Sequence, residues 1–199
     1  KKLDKIYAFE PLRENFEELI KKFGDRKNIF LINAAADITN GEKKLYLGRE
    51  WGNLGGTLCK DKSTCYKDKF ENVKTFDFSR YLLTNFNISD RIILKMDIEG
   101  KEYELLDKMG KDNSLNYIDE LYCDWHYDRI SISYEKHQNC IKKLRKIGLN
   151  VTGDNELDEF ALIWQVNSIW LQIRKYNRYY IRQVKKYLSI IHQTQPTAQ

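Results

Sequence analysis

What the sequence lacks narrows its class first. No apolar run approaches the roughly 18 residues that span a bilayer, and the lysine-rich opening KKLDKIYAFE has no apolar stretch of the kind a secretory signal needs. A soluble, cytoplasmic protein is therefore expected. Cysteine is scarce. Cys59, Cys65, Cys123 and Cys140 are too few to staple a scaffold and show no CxxC spacing, so free thiols in a reducing compartment are expected. Internal repeats and low-complexity linkers are missing too. The chain opens on Lys1 rather than methionine, from which an upstream segment is expected, lost by processing or by fragmentation.

What is present fits one domain with an appendage. The chain has 199 residues, 42% hydrophobic and 32% charged, enough to bury a core. Its net charge of +5 is unevenly spread, because from Asn167 onward there are six Lys or Arg and no acid. A near-neutral body (residues 1–166) and a basic tail (residues 167–199) follow.

Strand signals alternate with helix signals, which calls for βαβ units and a mostly parallel sheet. KIYAFEP reads as a strand, and Phe16, Leu19, Ile20 and Phe23 as a helix face closed by Gly24. NIFLINAAAD reads as one further strand, Asn40-Gly41 as a turn, KLYLG as a short strand and residues 49–66 as a loop. ENVKTF is a short strand leading into a helix near Asp77 or Ser79. IILKMDI is the best buried strand, followed by a helix that Gly110 should stop, a strand IDELYCDWH and a helix ISYEKHQNCIKKLRKIGL. LNVTGD and EFALIWQV read as an antiparallel pair. A long basic helix should begin beyond Ser168 and run through Leu188 and Ile191.

Ligands of such a sheet bind beyond the carboxyl ends of its strands. Glu10, Asn33 to Asp37, and Asp97 with Glu99 lie at those ends. A carboxylate such as Glu10 can accept two hydrogen bonds from the vicinal hydroxyls of a ribose, or it can serve the start of the helix after Pro11. Ala34 to Ala36 either admit a flat adenine or simply pack closely. His126, in a WH pair, either faces the same pocket or packs on the sheet rim. Trp51 with Gly52, Gly55 and Gly56 forms either a loop closing over an acceptor or ordinary surface. His137 and His192 read as solvated.

Taken in order, YAFEPLRENFEEL, NAAAD, GGTL, ILKMDIEGKEYELL and a strand closing in WH resemble the FkbM family of S-adenosylmethionine-dependent methyltransferases, over roughly Lys5 to Val166. The resemblance implies a Rossmann-like class I methyltransferase sheet with an antiparallel C-terminal strand, moving a methyl group to a hydroxyl of a sugar, glycan or small metabolite. Carried over by position, Glu10 holds the cofactor ribose, Asn33 and Ala34 border the adenine, and Asp97 lies where donor and acceptor meet. Asp97, Glu99 and His126 are then the catalytic candidates, and Trp51, Gly55 and Gly56 the acceptor loop.

The glycine-rich loop of such folds should precede YAFEP by roughly twenty residues, where only Lys1 to Lys5 stand. The first strand is thus expected to be missing and the sheet centre empty. A truncated, non-catalytic module whose basic tail docks a partner or an anionic surface is the competing reading. Proton removal from an alcohol falls to His126 or Asp97. Asp97, Glu99 and His126 either hold a divalent metal or form only a hydrogen-bonded group, and no metal is assigned. The tail either packs on its own domain or a second subunit, or lies on an anionic surface; no specific nucleic acid is expected.

Overall fold

The structure, a computed structural model, describes residues 4–49 and 55–152, and the backbone alone of 188–193. Two sheets carry the elements. The larger has six strands in the order β2 (Ile29–Ile32), β1 (Lys5–Phe9), β9 (Leu188–Gln193), β6 (Arg91–Met96), β7 (Glu120–Cys123), β8 (Asn150–Thr152). β1 and β2 are parallel, as are β6, β7 and β8, while β9 runs antiparallel to both of its neighbours. The smaller sheet has the order β3 (Ala35–Asp37), β5 (Cys65–Asp77), β4 (Gly41–Gly48). Helices α1 (Arg13–Phe23), α2 (Phe78–Asn85), α3 (Glu102–Lys111) and α4 (Tyr134–Lys146) connect the strands. The α/β reading therefore stands.

β6 is the structural spine, wholly apolar on one face and carrying Ile93 between the partly buried Arg91 and Lys95 on the other. Ile92, Leu94 and Met96 are fully buried and Ile93 nearly so, as a central strand covered on both sides requires. Three of the four helices present an apolar stripe to this core: Phe78 and Leu82 from α2, Leu105, Leu106 and Met109 from α3, Ile141 and Leu144 from α4. Phe9 extends the core sideways, stacking on Phe76 at 4.9 Å and meeting Phe78 edge-on at 5.9 Å. Asp77 caps α2 by accepting from the Arg80 amide at 3.0 Å, and Ser133 caps α4.

Several elements differ from the sequence reading, each for a physical reason. NIFLINAAAD is two strands, since the chain turns at Asn33 and Ala34 and passes from one sheet to the other. β5 has 13 residues rather than a short stretch; Lys67 to Asn72 are exposed in a hairpin with β4, so no inward–outward alternation betrays it. Gly110 lies inside α3, and the stop is Asn113 in a left-handed conformation. His137 is buried rather than solvated, its ring stacked on Tyr127 at 4.4 Å and its Nδ1 2.8 Å from the Tyr103 hydroxyl.

The largest difference is at the sheet centre. Residues 188–193 form β9 instead of the end of a helix, and they fill the position expected to be empty. β1 and β6 would otherwise each present an unpaired backbone edge in the interior, and LSIIHQ offers leucine and β-branched isoleucines suited to a strand. EFALIWQV and the expected basic helix beyond Ser168, as far as Tyr187, lie outside the described residues.

Leu82 is fully buried against this core. Leu82→Ala should lower the unfolding free energy by about 2–5 kcal/mol in urea titration, with the slope against urea unchanged.

Candidate active site

One rim of the large sheet gathers the acids. Glu10 follows β1, Asp97 and Glu99 follow β6, and His126 follows β7. Beyond the ends of β1 and β6 lies a cleft open to solvent. Glu10, Asp97 and Glu99 line it, together with Ala34 to Ala36 and with Gly55 and Gly56. Two carboxyls expected on a common hollow thus face one.

Glu10 is 4% exposed. Its Oε1 accepts from the Leu12 amide at 2.7 Å, and Asn15 also bonds its side chain. It therefore anchors the start of α1, which has no side-chain cap of its own, while lining the cleft. Burial outweighs these bonds and pushes its pKa from 4.5 up to about 8. The neutral carboxyl is thus the form the fold prefers: its contribution to stability is complete below 4.5 and is lost as pH rises toward about 8. Asn33 does not line the cleft. Its Nδ2 donates to the carbonyls of Glu10 at 2.8 Å and Pro11 at 3.1 Å, tying the turn that aims Glu10.

The segment MDIEGKE explains how acids can end a buried strand. Glu99 has φ 58° and Gly100 has φ 111°, so the chain reverses in two steps before α3 begins. A non-glycine residue held in that region stores strain that its partners must offset. A Cβ on Gly100 would come 2.8 Å from Ile130 Cγ2, so the close approach also demands glycine. The Thr57 hydroxyl donates to the Glu99 carbonyl at 2.6 Å, and Lys62, 1% exposed, forms an ion pair with its carboxylate.

His126 stands behind the acids, 2% exposed, and not on the cleft wall. Its Nδ1 is 2.9 Å from Glu102 Oε1, and its Nε2 is 3.2 Å from Glu99 Oε2 and 3.9 Å from Asp97 Oδ1. Burial alone would lower its pKa; the bonds to Glu102 and Glu99 overturn that and raise it to about 10. A protonated imidazole cannot take a proton, so Asp97 is the better base of the two candidates. Asp97 is 3% exposed, and burial raises its pKa to about 7, with Lys95 opposing and Asp124 and Glu99 reinforcing the rise. That places it near neutrality, where a general base works well.

Lys62 and Glu102 were missed in the sequence. Lys62 sits in an irregular loop among other lysines and carries no signal there. Glu102 had one, since an acid in the first turn of a helix that is fully buried implies a partner, but burial is not visible in EGKEYE. Gly55 and Gly56 reach the cleft as expected, whereas Trp51 lies outside the described residues.

The Lys62–Glu99 pair is buried on both sides, while the Lys101–Glu104 pair is partly in water. Lys62→Met should therefore cost up to about 3–5 kcal/mol by removing one of the two cations beside buried Glu99, and Lys101→Met no more than about 1 kcal/mol. Equal losses in urea titration would contradict this ranking.

No curated protein and no solved structure matches the chain in comparison. The Methyltransferase FkbM domain matches residues 1–145, which take in Glu10, the alanines, MDIEGKEYE and the WH pair. With this match spanning most of its length and every motif of the cleft, the chain belongs to the FkbM methyltransferase family.

Proposed function

We propose that the cleft binds S-adenosylmethionine and that the chain transfers its methyl group to a hydroxyl of a small-molecule or glycan acceptor, in the cytoplasm. The observation that carries this reading is that Glu10 and Asp97 line the same cleft as Ala34 to Ala36. Glu10 accepts from the ribose hydroxyls. The alanines leave room for the adenine, with Asn33 holding the turn beside it. Asp97 receives the acceptor's proton as the oxygen attacks the methyl carbon in line with the departing sulfur. Gly55 and Gly56, with Trp51 nearby in sequence, border the acceptor.

Charge fits this assignment. The cofactor carries a positive sulfonium, and a cleft with two buried carboxyls loses least by admitting a cation and hydroxyl donors. His126, held as a cation by Glu99 and Glu102, keeps those two acids from repelling the nearby Asp97 into permanent protonation. Four free thiols and the lack of any membrane-crossing helix among the described residues agree with a cytoplasmic setting.

One observation favours a second reading. The centre of the described sheet is antiparallel β9 in place of a parallel strand running into a glycine-rich loop that could cradle the methionine end of the cofactor. A non-catalytic module that works through its basic tail would need neither.

Titration calorimetry with S-adenosylhomocysteine separates the two. Because Glu10 is mostly protonated near pH 7 when the cleft is empty, ribose binding should release a proton, seen as a heat that changes with buffer ionisation enthalpy. Affinity should rise as pH increases from 7 to 9, and Glu10→Gln should weaken binding and abolish its share of proton release. Failure to bind at any of these pH values sinks the cofactor reading; binding without proton release sinks the role of Glu10.

A further inference from the structure

We propose that Asp97, Glu99 and His126 form a binding site for a single first-row divalent cation on the floor of the cleft. Each residue offers one donor atom, and the three atoms lie within 4.8 Å of one another. Ligands of one ion at about 2.0–2.2 Å stand no more than roughly 4.4 Å apart, so a few tenths of an ångström of closure suffices. The donors come from the ends of adjacent parallel strands β6 and β7, a rigid mounting.

A plain hydrogen-bonded group accounts for only part of this cluster. It satisfies His126, whose two nitrogens face Glu102 and Glu99. It does not satisfy Asp97. Both carboxylate oxygens of this buried side chain lack a hydrogen-bond partner among the described residues, and its nearest cation, Lys95, stands 3.5 Å away. A buried carboxylate is costly without partners, and this one faces the cleft beside Glu99.

The histidine is presented as metal ligands are. Glu102 Oε1, 2.9 Å from Nδ1 and itself accepting from the Gly100 amide at 3.0 Å, fixes the ring and turns Nε2 toward the two acids. Bound at Nε2, the ion would take the place of any proton there. Asp97, Glu99 and Glu102 bring three carboxylates together, and Lys62 and Lys95 supply two positive charges. A divalent ion among them leaves one surplus positive charge, which favours an acceptor oxygen as it gives up its proton. Two oxygens and one imidazole nitrogen favour manganese, iron or zinc over the all-oxygen preference of calcium and magnesium. Resting on the methyl-transfer reading, the ion's role is to hold the acceptor hydroxyl and lower its pKa.

Manganese(II) is the probe. The full chain, stripped with chelator and dialysed, is titrated with manganese chloride without cofactor or acceptor, and free ion is followed by electron paramagnetic resonance. Saturation at one ion per chain is expected, weakened at least about tenfold by Asp97→Asn and by His126→Gln. Asp107→Asn, at a side chain 65% exposed, should leave it unchanged. Spin-echo spectra of the loaded wild-type chain should show coupling to one imidazole nitrogen, a readout that survives even if the variants fail to fold. Absence of saturable binding, absence of nitrogen coupling, or unaltered affinity in a folded Asp97→Asn chain overturns the site. S-adenosylhomocysteine binding by the metal-free chain is scored separately, so either proposal can fall while the other stands.

Discussion

Everything at the rim depends on keeping buried acids paired. Asp97, Glu99 and Glu102 are each 3% exposed or less, within a few residues of one another, and a single ion left unpaired in such a place costs several kcal/mol. The fold answers with cations from three separate parts of the chain: Lys62 from the glycine loop, Lys95 from β6 and His126 from the end of β7. None is close in sequence to the loop or strand it serves across the cleft, apart from Lys95. The rim is thus held by long-range charge pairing, and the loop carrying Gly55 and Gly56 is fastened to it by Lys62 and Thr57.

This arrangement also explains the strained backbone at Glu99. Two successive residues with positive φ are poor local choices, and a free peptide MDIEG would not hold them. Here the Thr57 hydroxyl fixes the Glu99 carbonyl, Lys62 its carboxylate, and Ile130 allows only glycine at 100. Distant contacts over-determine the turn. Its result is that two acids separated by one residue, Asp97 and Glu99, meet the same cleft although strand alternation is broken between Glu99 and the helix.

How much was legible follows from range. β6 announced itself through IILKM, the helices through apolar stripes at 3.6-residue spacing, and Glu10 and Asp97 through their places after apolar runs. These signals are local. The passage of INAAAD between two sheets, the 13-residue β5 and the entry of β9 between β1 and β6 are decided by backbone edges elsewhere needing partners, which no window of sequence contains. The same distinction separates the site residues. His126 was a candidate because histidine is chemically conspicuous, whereas Lys62 is one of many lysines and becomes special only when folding removes it from water. His137 failed in the opposite sense, a conspicuous residue whose hydrogen bond to Tyr103 and stacking on Tyr127 make it part of an aromatic core.

The charge lining the cleft argues about its ligand independently of any family. A phosphate-bearing nucleotide would bring negative oxygens toward Glu10, Asp97 and Glu99, and would find there no helix amide cradle among the lining residues, because Glu10 already occupies the Leu12 amide at the start of α1. A nucleoside with a cationic sulfur meets the opposite situation. Its hydroxyls donate to carboxyls that burial has left poorly solvated, and its positive charge lowers the cost of ionising them. Discrimination of this kind comes from what the site repels as much as from what it attracts. The same acids that are expensive to bury therefore select a ligand class, and the lysines and histidine that keep them folded set how strongly they do so.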